Sequence, residues 1–397
     1  MASVRAPYFK VIYDSVDITE EISKDVIEIT YSDSTENEAA ELTILVDDMF
    51  SKWKNEWIVN TGVSIEAEFG WQEDSALDCG KFEVDEIHYS GDYGRGDTVE
   101  IRCLAISENS ELRTERSEIY TEQTIQQIID KVAERNNLTL ADPNINIDGT
   151  VETNPFVLPQ QDVIYRNRVL GLFFSRIVQD REDDLCFLDR LLSQYGISVV
   201  FHNDSIFLTV EVSDIVSRNI SERVGYFLRE DIPEGMIEID GELTDLNSIP
   251  SIKSYRLKNC AANTINGVTL KYHDPYTDAE LIYDADLGNI PQSSQINPLG
   301  VEYEIVNRKA IEYGYVENEQ QAEIVAKAKL FDIISKQVEG DMELEGQPNV
   351  IAGTAIEVSG IGKLSGRYYV NQSRHRINRA SGYTTNIQVQ MLAGEST

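Results

Sequence analysis

Val63-Ser-Ile-Glu-Ala-Glu-Phe69 alternates without a fault: Val63, Ile65, Ala67 and Phe69 share one face, and Ser64, Glu66 and Glu68 share the other. Successive side chains of a strand point to opposite faces, so this pattern calls for a half-buried antiparallel strand. The same rhythm extends on both sides. Lys24 to Tyr31 carries Val26, Ile27, Ile29 and Tyr31; Glu41-Leu-Thr-Ile-Leu-Val46 is short and mostly apolar; Phe82 to Tyr89 and Thr98 to Leu104 continue it. Turn clusters separate these runs at Thr61-Gly62, Cys79-Gly80 and Gly91 to Asp97. Regular short strands in this number predict a barrel or sandwich for residues 1–116.

The period then changes from 2 to 3.6. In Thr121 to Asn136, Ile125, Ile128, Ile129, Val132 and Ala133 recur at helical spacing, with Thr121 as the expected N-cap and Asn136 or Asn137 as the stop. A second helix is expected over 183–195, with Leu185, Leu188, Leu191 and Leu192 as its stripe, Asp183 or Asp184 as its cap and Gly196 at the left-handed C′ position. Residues 141–162 read as a polar excursion. Residues 197–212 read as a hairpin turning at Asn203-Asp204. This mixed α/β stretch is assigned to 117–236. Residues 237–397 return to strands, including 251–257, 266–273, 355–358, 366–377 and 383–391, with a loop-rich stretch at 274–300 and one long helix near 318–337. The class is therefore mainly β with an α+β insert. Two β-modules of similar size flanking that insert are consistent with an old duplication.

Composition narrows the function. The chain has 397 residues, 41% hydrophobic and 26% charged, with 10 Pro and 24 Gly, which is a globular balance for two or three domains. Its 69 acidic and 34 basic residues give a net charge of −35. So acidic a surface repels phosphate, which argues against nucleic-acid or anionic-membrane binding as its main task. No run approaches the roughly 20 apolar residues of a membrane helix. The N-terminus lacks a signal-peptide apolar core, so synthesis in a cytosol and no membrane anchor are expected. Cys79, Cys103, Cys186 and Cys260 form neither a disulfide framework nor a zinc pattern, and four His leave little for a histidine-based site.

Each motif of chemical interest has a plainer reading. Asn144-x-Asn146-x-Asp148-Gly149 opens like a calcium loop, but its twelfth position is Pro155, where a bidentate acid is required. Arg95-Gly96-Asp97 sits in a glycine-rich hairpin tip and reads as turn chemistry. Gly360-x-Gly362-x-x-x-Gly366 lacks dinucleotide spacing and precedes a strand, so it reads as a hairpin turn. Arg374, His375, Arg376 and Arg379 form the only basic cluster. Alternation places Arg374 and Arg376 on one face and His375 on the other, suiting a docking patch for an acidic neighbour. His88 and His202 fall in strand patterns and read as structural. Acidic pairs such as Glu20-Glu21 and Asp47-Asp48 are too common to signal a two-carboxylate glycosidase. No catalytic, cofactor-binding or metal residues are assigned.

Several stretches together resemble the phage late control D family of tail and baseplate hub proteins, whose module also opens VgrG spike proteins. Gln179 to Gly196 is similar to the family run of Gln, two acids, Phe-Leu-x-Arg-Leu and Gly, here Gln179, Asp183, Phe187, Leu188, Arg190, Leu191 and Gly196. The C-terminal run adds a helix with small residues, then Gly353, Gly366, Tyr368, His375, Gly382 and Tyr383. Val16 to Ile22, Gly70 and Gly80 to Ile87 fit near the N-terminus; the long spacing over 141–178 departs from the pattern.

The resemblance implies two tail-tube-like antiparallel β-barrel modules around a small helical middle domain. It implies a homotrimer, so that six modules form a ring between a six-fold tail tube and a separate three-fold spike, with tape-measure and baseplate-wedge proteins as further neighbours. It implies assembly in place of catalysis, in a virion or injection-system baseplate assembled in the bacterial cytoplasm. DNA or cargo would pass through without specific binding, repelled by an acidic wall if the chain's acids line the channel. A tail-borne cell-wall glycan hydrolase and a glycan-binding β-protein are the alternative readings.

Overall fold

The computed structural model describes residues 5–35, 40–72, 76–94, 96–105, 112, 114–141, 160–202, 205–210, 220–226, 236–239, 242–245, 250–260, 267–274, 279–286, 309–313 and 316–392. The opening segment runs β1 (Pro7–Tyr13), β2 (Val16–Asp17), α1 (Thr19–Ile22), β3 (Val26–Ser34), β4 (Glu41–Asp47), α2 (Lys52–Asn55), β5 (Ser64–Trp71), β6 (Ala76–Asp92) and β7 (Gly96–Leu104). The middle adds β8 (Arg116–Thr124), α3 (Ile125–Arg135), β9 (Thr139–Leu140), α4 (Gln160–Leu170), β10 (Phe173–Glu182), α5 (Asp184–Ser193), β11 (Ile197–His202) and β12 (Ser205–Val210). There follow β13 (Ile220–Gly225), β14 (Met236–Ile239), β15 (Glu242–Asp245), β16 (Ile252–Asn259), β17 (Gly267–Asp274), β18 (Ala279–Asp286) and β19 (Lys309–Tyr313). The chain closes with α6 (Glu319–Ser335), β20 (Val338–Glu345), β21 (Ala355–Ser359), β22 (Gly366–Asn378) and β23 (Gly382–Met391). The fold is mainly β, as the alternation requires: in β5, Ile65, Ala67 and Phe69 are buried.

One antiparallel path, β16-β20-β23-β22-β3-β4-β7-β6-β5-β1-β2, crosses from the C-terminal strands to the N-terminal ones. The crossing is β22 against β3, from Gln372 opposite Ser34 to Asn378 opposite Glu28. Strand ladders satisfy the backbone groups that burial would otherwise leave unpaired.

The three largest hydrophobic cores among the described residues lie along this frame. The first gathers Val11, Ile29, Leu42, Trp53, Phe69, Phe82 and Ile101. The C-terminal core gathers Val224, Ile252, Val338, Met342, Ile356, Tyr368, Val370 and Val389. The middle core holds Ile125, Ile129, Phe187, Leu188 and Leu191, but also Val268, Leu270, Ala322, Ile324 and Leu330. Packing therefore cuts across the expected boundary at 236/237. The helix near 318–337 and the strand at 266–273 bury their apolar faces in the middle body, and β13 joins the C-terminal core.

The elements differ from expectation in three further places. The first long helix starts at Ile125, because Thr121 continues β8. Thr124 is the N-cap, and its hydroxyl and the Gln127 side chain form a reciprocal capping box. Helix α4 begins at Gln160, in the last three residues of the expected polar excursion, and runs on to Leu170. Its buried positions, Asp162, Val163, Arg166, Val169 and Leu170, have helical spacing, but an acid and an arginine occupy two of them and hide the stripe. Residues 279–286 form β18 inside the stretch expected to be loops. The hairpin register is as expected, with His202 opposite Ser205. The calcium-like run at 144–149, the residues Arg95, Asn203 and Asp204 lie outside the described residues. Among the described residues, no helix is long and apolar enough to cross a membrane.

Candidate assembly surface

The family-motif residues assemble into two buried polar networks and one set of turns. In the middle body, β10 carries Gln179 inward with no exposure, and the two acids after it divide the work. Asp183 caps α5, its Oδ1 accepting from the Cys186 amide at 2.7 Å. Asp184 is buried and receives both Nε (2.7 Å) and Nη2 of Arg135 from α3. Gln179 Nε2 donates to Asp184 Oδ1 at 2.8 Å, and Asn136 Nδ2 donates to Asp184 Oδ2 at 2.9 Å. Arg135 also reaches Glu118 at 2.6 Å and the Tyr120 hydroxyl at 3.2 Å. Burial pushes the Tyr120 phenol up to about 12. The Phe187 ring stacks on Tyr120 at 5.3 Å, and Arg190 lies over the outer side of Phe187 while pairing with Glu182. Leu188 and Leu191 are core. The motif thus pins α3, β8, β10 and α5 together, a fixed register for one body rather than a catalytic array.

The second network sits at the β3–β22 seam. His375 is fully buried. Its Nε2 lies 3.0 Å from the Val350 carbonyl, which can only accept, so that nitrogen carries the proton; Nδ1 accepts from the Tyr383 hydroxyl at 2.9 Å. Burial lowers the His375 pKa to about 3, keeping the ring neutral. Two residues from Tyr31, Asp33 points into the same seam. It accepts from the Ser373 hydroxyl and from the Ala352 amide at 3.1 Å, and burial raises its pKa to about 6. Trp71 Nε1 donates to the Gly346 carbonyl at 2.9 Å, and Arg376 pairs with Glu28 at 2.5 Å on the opposite face. Tyr368 is buried with its hydroxyl on the Leu364 carbonyl at 2.6 Å. Gly196, Gly353, Gly366 and Gly382 all have positive φ, which is why those turns need glycine.

Sequence reading missed Arg135, Tyr120, Asp184 as an ion-pair partner, and Asp33. Asp33 was legible as the continuation of the Ile29–Tyr31 face; Arg135 was not, because its partner is 49 residues away.

The polar side of the eight strands from β16 to β6 forms one surface across both modules. A hollow on it touches Ser32, Glu41, Arg256, Asp341, Arg374 and Gln388, so the face is recessed where β16, β20, β23, β22, β3 and β4 lie side by side. Pairing registers put Arg256, Lys258, Arg374, Arg376 and Arg102 on it, beside ten acids: Glu339, Asp341, Glu343, Glu345, Glu28, Glu41, Asp47, Glu100, Glu86 and Asp92. Between these charges lie Gln388, Asn386, Gln372, Ser32, Ser34, Thr30 and Thr43.

No family model matches the chain. Among curated proteins, the probable baseplate hub protein of Escherichia phage 186 is 28% identical over 194 residues. Over that region the chain is similar in sequence to phage baseplate hub proteins. The aligned region covers 49% of this chain and 42% of the phage 186 protein, less than half of either. Two solved structures share the fold over nearly the whole chain. The tail protein from Neisseria meningitidis MC58 has a TM-score of 0.61 at 10% identity, covering 97% of this chain and 96% of that one. The 43 kDa tail protein of prophage MuSo2 from Shewanella oneidensis has a TM-score of 0.58 at 14% identity, covering 98% and 100%.

Proposed function

We propose that the chain is the structural hub of a phage tail baseplate or a related contractile injection machine, acting as a homotrimer that adapts the six-fold tail tube to a three-fold spike. The observation that carries this reading is the single continuous wall made when β22 pairs with β3. Two β-modules locked edge to edge, with a buried polar seam behind them, behave as one rigid third of a ring. Each copy then contributes two units to the six-fold side and one chain to the three-fold side. The middle body, whose core draws on α3, α5, β17 and α6, packs against the C-terminal strands through Phe331 and Ile334 and suits contacts with baseplate neighbours. The tube ring, a separate spike trimer, the tape measure and wedge proteins are the proposed partners. The proposed location is the baseplate, after assembly in the bacterial cytoplasm.

The wall faces the channel in this reading, and it keeps the acidic sign of the chain, with ten acids against five bases among the described residues. The excess of acids disfavours phosphate on this face, and the amides, hydroxyls and paired charges between them give a wetted surface with no run of cations for phosphate to grip.

Size measurement tests the reading. Full-length protein, alone or with its spike and tube proteins, should sediment as a threefold species. A monomer that persists with spike and tube present refutes it. Cell-wall zymography of the same material should be blank, and a cleared zone would favour the hydrolase reading.

A further inference from the structure

Among the described residues, the wall ends in two unpaired edges. At one end is β16, which among those residues pairs only with β20 along its length. At the other is the distal half of β6: β5 accompanies β6 only as far as Glu83, and residues 85–92 pair with β7 alone among the described residues. Unpaired edges of this length invite another strand. The two edges are equally long and opposite in sign. β16, Ile-Lys-Ser-Tyr-Arg-Leu-Lys-Asn, carries Lys253, Arg256 and Lys258 and no acid, in a chain with twice as many acids as bases. Residues 85–92, Asp-Glu-Ile-His-Tyr-Ser-Gly-Asp, carry Asp85, Glu86 and Asp92 and no Lys or Arg.

We propose that β16 of one copy pairs antiparallel with residues 85–92 of the next copy, head to tail around the ring; this rests on the trimeric hub reading. Strand direction supports the geometry. Every neighbour from β16 to β6 is antiparallel and the run has eight strands, so β16 and β6 point opposite ways. A rotation about an axis along the wall preserves direction, so the next β16 continues the alternation unbroken.

Side-chain faces also match. On the polar face, Arg256 and Lys258 come beside Glu86 and His88; on the apolar face, Tyr255 and Leu257 come beside Ile87 and Tyr89. Tyr89 is 48% and Tyr255 39% exposed, so both have surface to bury. Local pairs temper the charge contrast: Lys258 lies 2.6 Å from Glu339, and Glu86 lies 2.9 Å from His88 and 3.9 Å from Arg102. A two-fold arrangement would set β16 against β16, or β6 against β6, placing like charges across the ladder, which is unfavourable.

Cross-linking reads the arrangement directly. In a Cys260→Ser background, full-length chains carrying Tyr255→Cys are mixed with chains carrying Ile87→Cys or Tyr89→Cys and oxidised. Disulfide-linked dimers should form in at least one mixture and in none of the chains alone. Dimers from the Tyr255→Cys chain alone would overturn the head-to-tail pairing. A threefold species with no cross-link in either mixture would also overturn it while leaving the hub reading intact; a persistent monomer with spike and tube present would sink both. As a second arm, Lys253→Glu with Arg256→Glu should weaken self-association about tenfold or more, and Asp85→Lys with Asp92→Lys should restore it. A charge-reversed chain that associates like the parent would count against the proposal.

Discussion

Two buried groups at the β3–β22 seam should oppose each other in pH dependence. Asp33 binds its proton more tightly when folded, its pKa rising from 3.8 to about 6 by burial. The folded state therefore holds more protons than the unfolded one across that window, and stability falls as pH rises through it. At about 1.36 kcal/mol per pH unit the full cost is roughly 3 kcal/mol above pH 6. His375 has the reverse sign. Its folded pKa drops from 6.5 to about 3, so the unfolded state holds more protons and stability rises with pH between those values, by roughly 5 kcal/mol in all. Between about pH 4 and pH 6 the two slopes cancel. Single substitutions uncouple them. Relative to the parent protein, Asp33→Asn should gain about 1.36 kcal/mol of stability per unit from pH 4 to 6, and His375→Gln should lose as much. Taking differences removes the background from the remaining carboxylates. Urea unfolding followed by tryptophan fluorescence is suitable, because Trp71 lies 5.3 Å from Tyr383 at the seam. A difference that stays flat with pH for either variant would refute the assigned burial of that group.

Asp184→Ala should destabilise the middle body by about 3 kcal/mol, because it leaves Arg135 partly buried with only Glu118 as its carboxylate partner. Hydrogen exchange at the α3 and α5 amides would show it, whereas Arg135→Met with Asp184→Leu should be milder than either single change. Gly346→Ala would place a methyl 2.2 Å from the Tyr383 ring, so the seam must open. A fall in melting temperature, with Trp71 fluorescence moving to the red, is expected, and an unchanged melt would contradict the packing.

The alternation of Val63–Phe69 and the stripe of Leu185–Leu192 were legible because each depends only on local period: a strand or helix must bury one face wherever it sits. Asp183 as a cap and Gly196 as a left-handed stop were legible for the same reason, since both satisfy groups within one turn. Helix α4 was hidden because buried Arg166 takes an apolar slot, and an arginine can do so only when a distant partner, here the Ala141 carbonyl, receives it. The assignment of α6 was equally out of reach. Its sequence states that one face is apolar but not which core receives it, and only folding brings Ala322, Ile324 and Leu330 against elements from residues 120 to 210. The seam belongs wholly to tertiary structure: Asp33 meets Ser373 across 340 residues of chain. Local periodicity fixed the type of most segments; long-range pairing decided that two β-modules share one wall, because hydrogen bonds between sheet edges carry no signature in either strand alone.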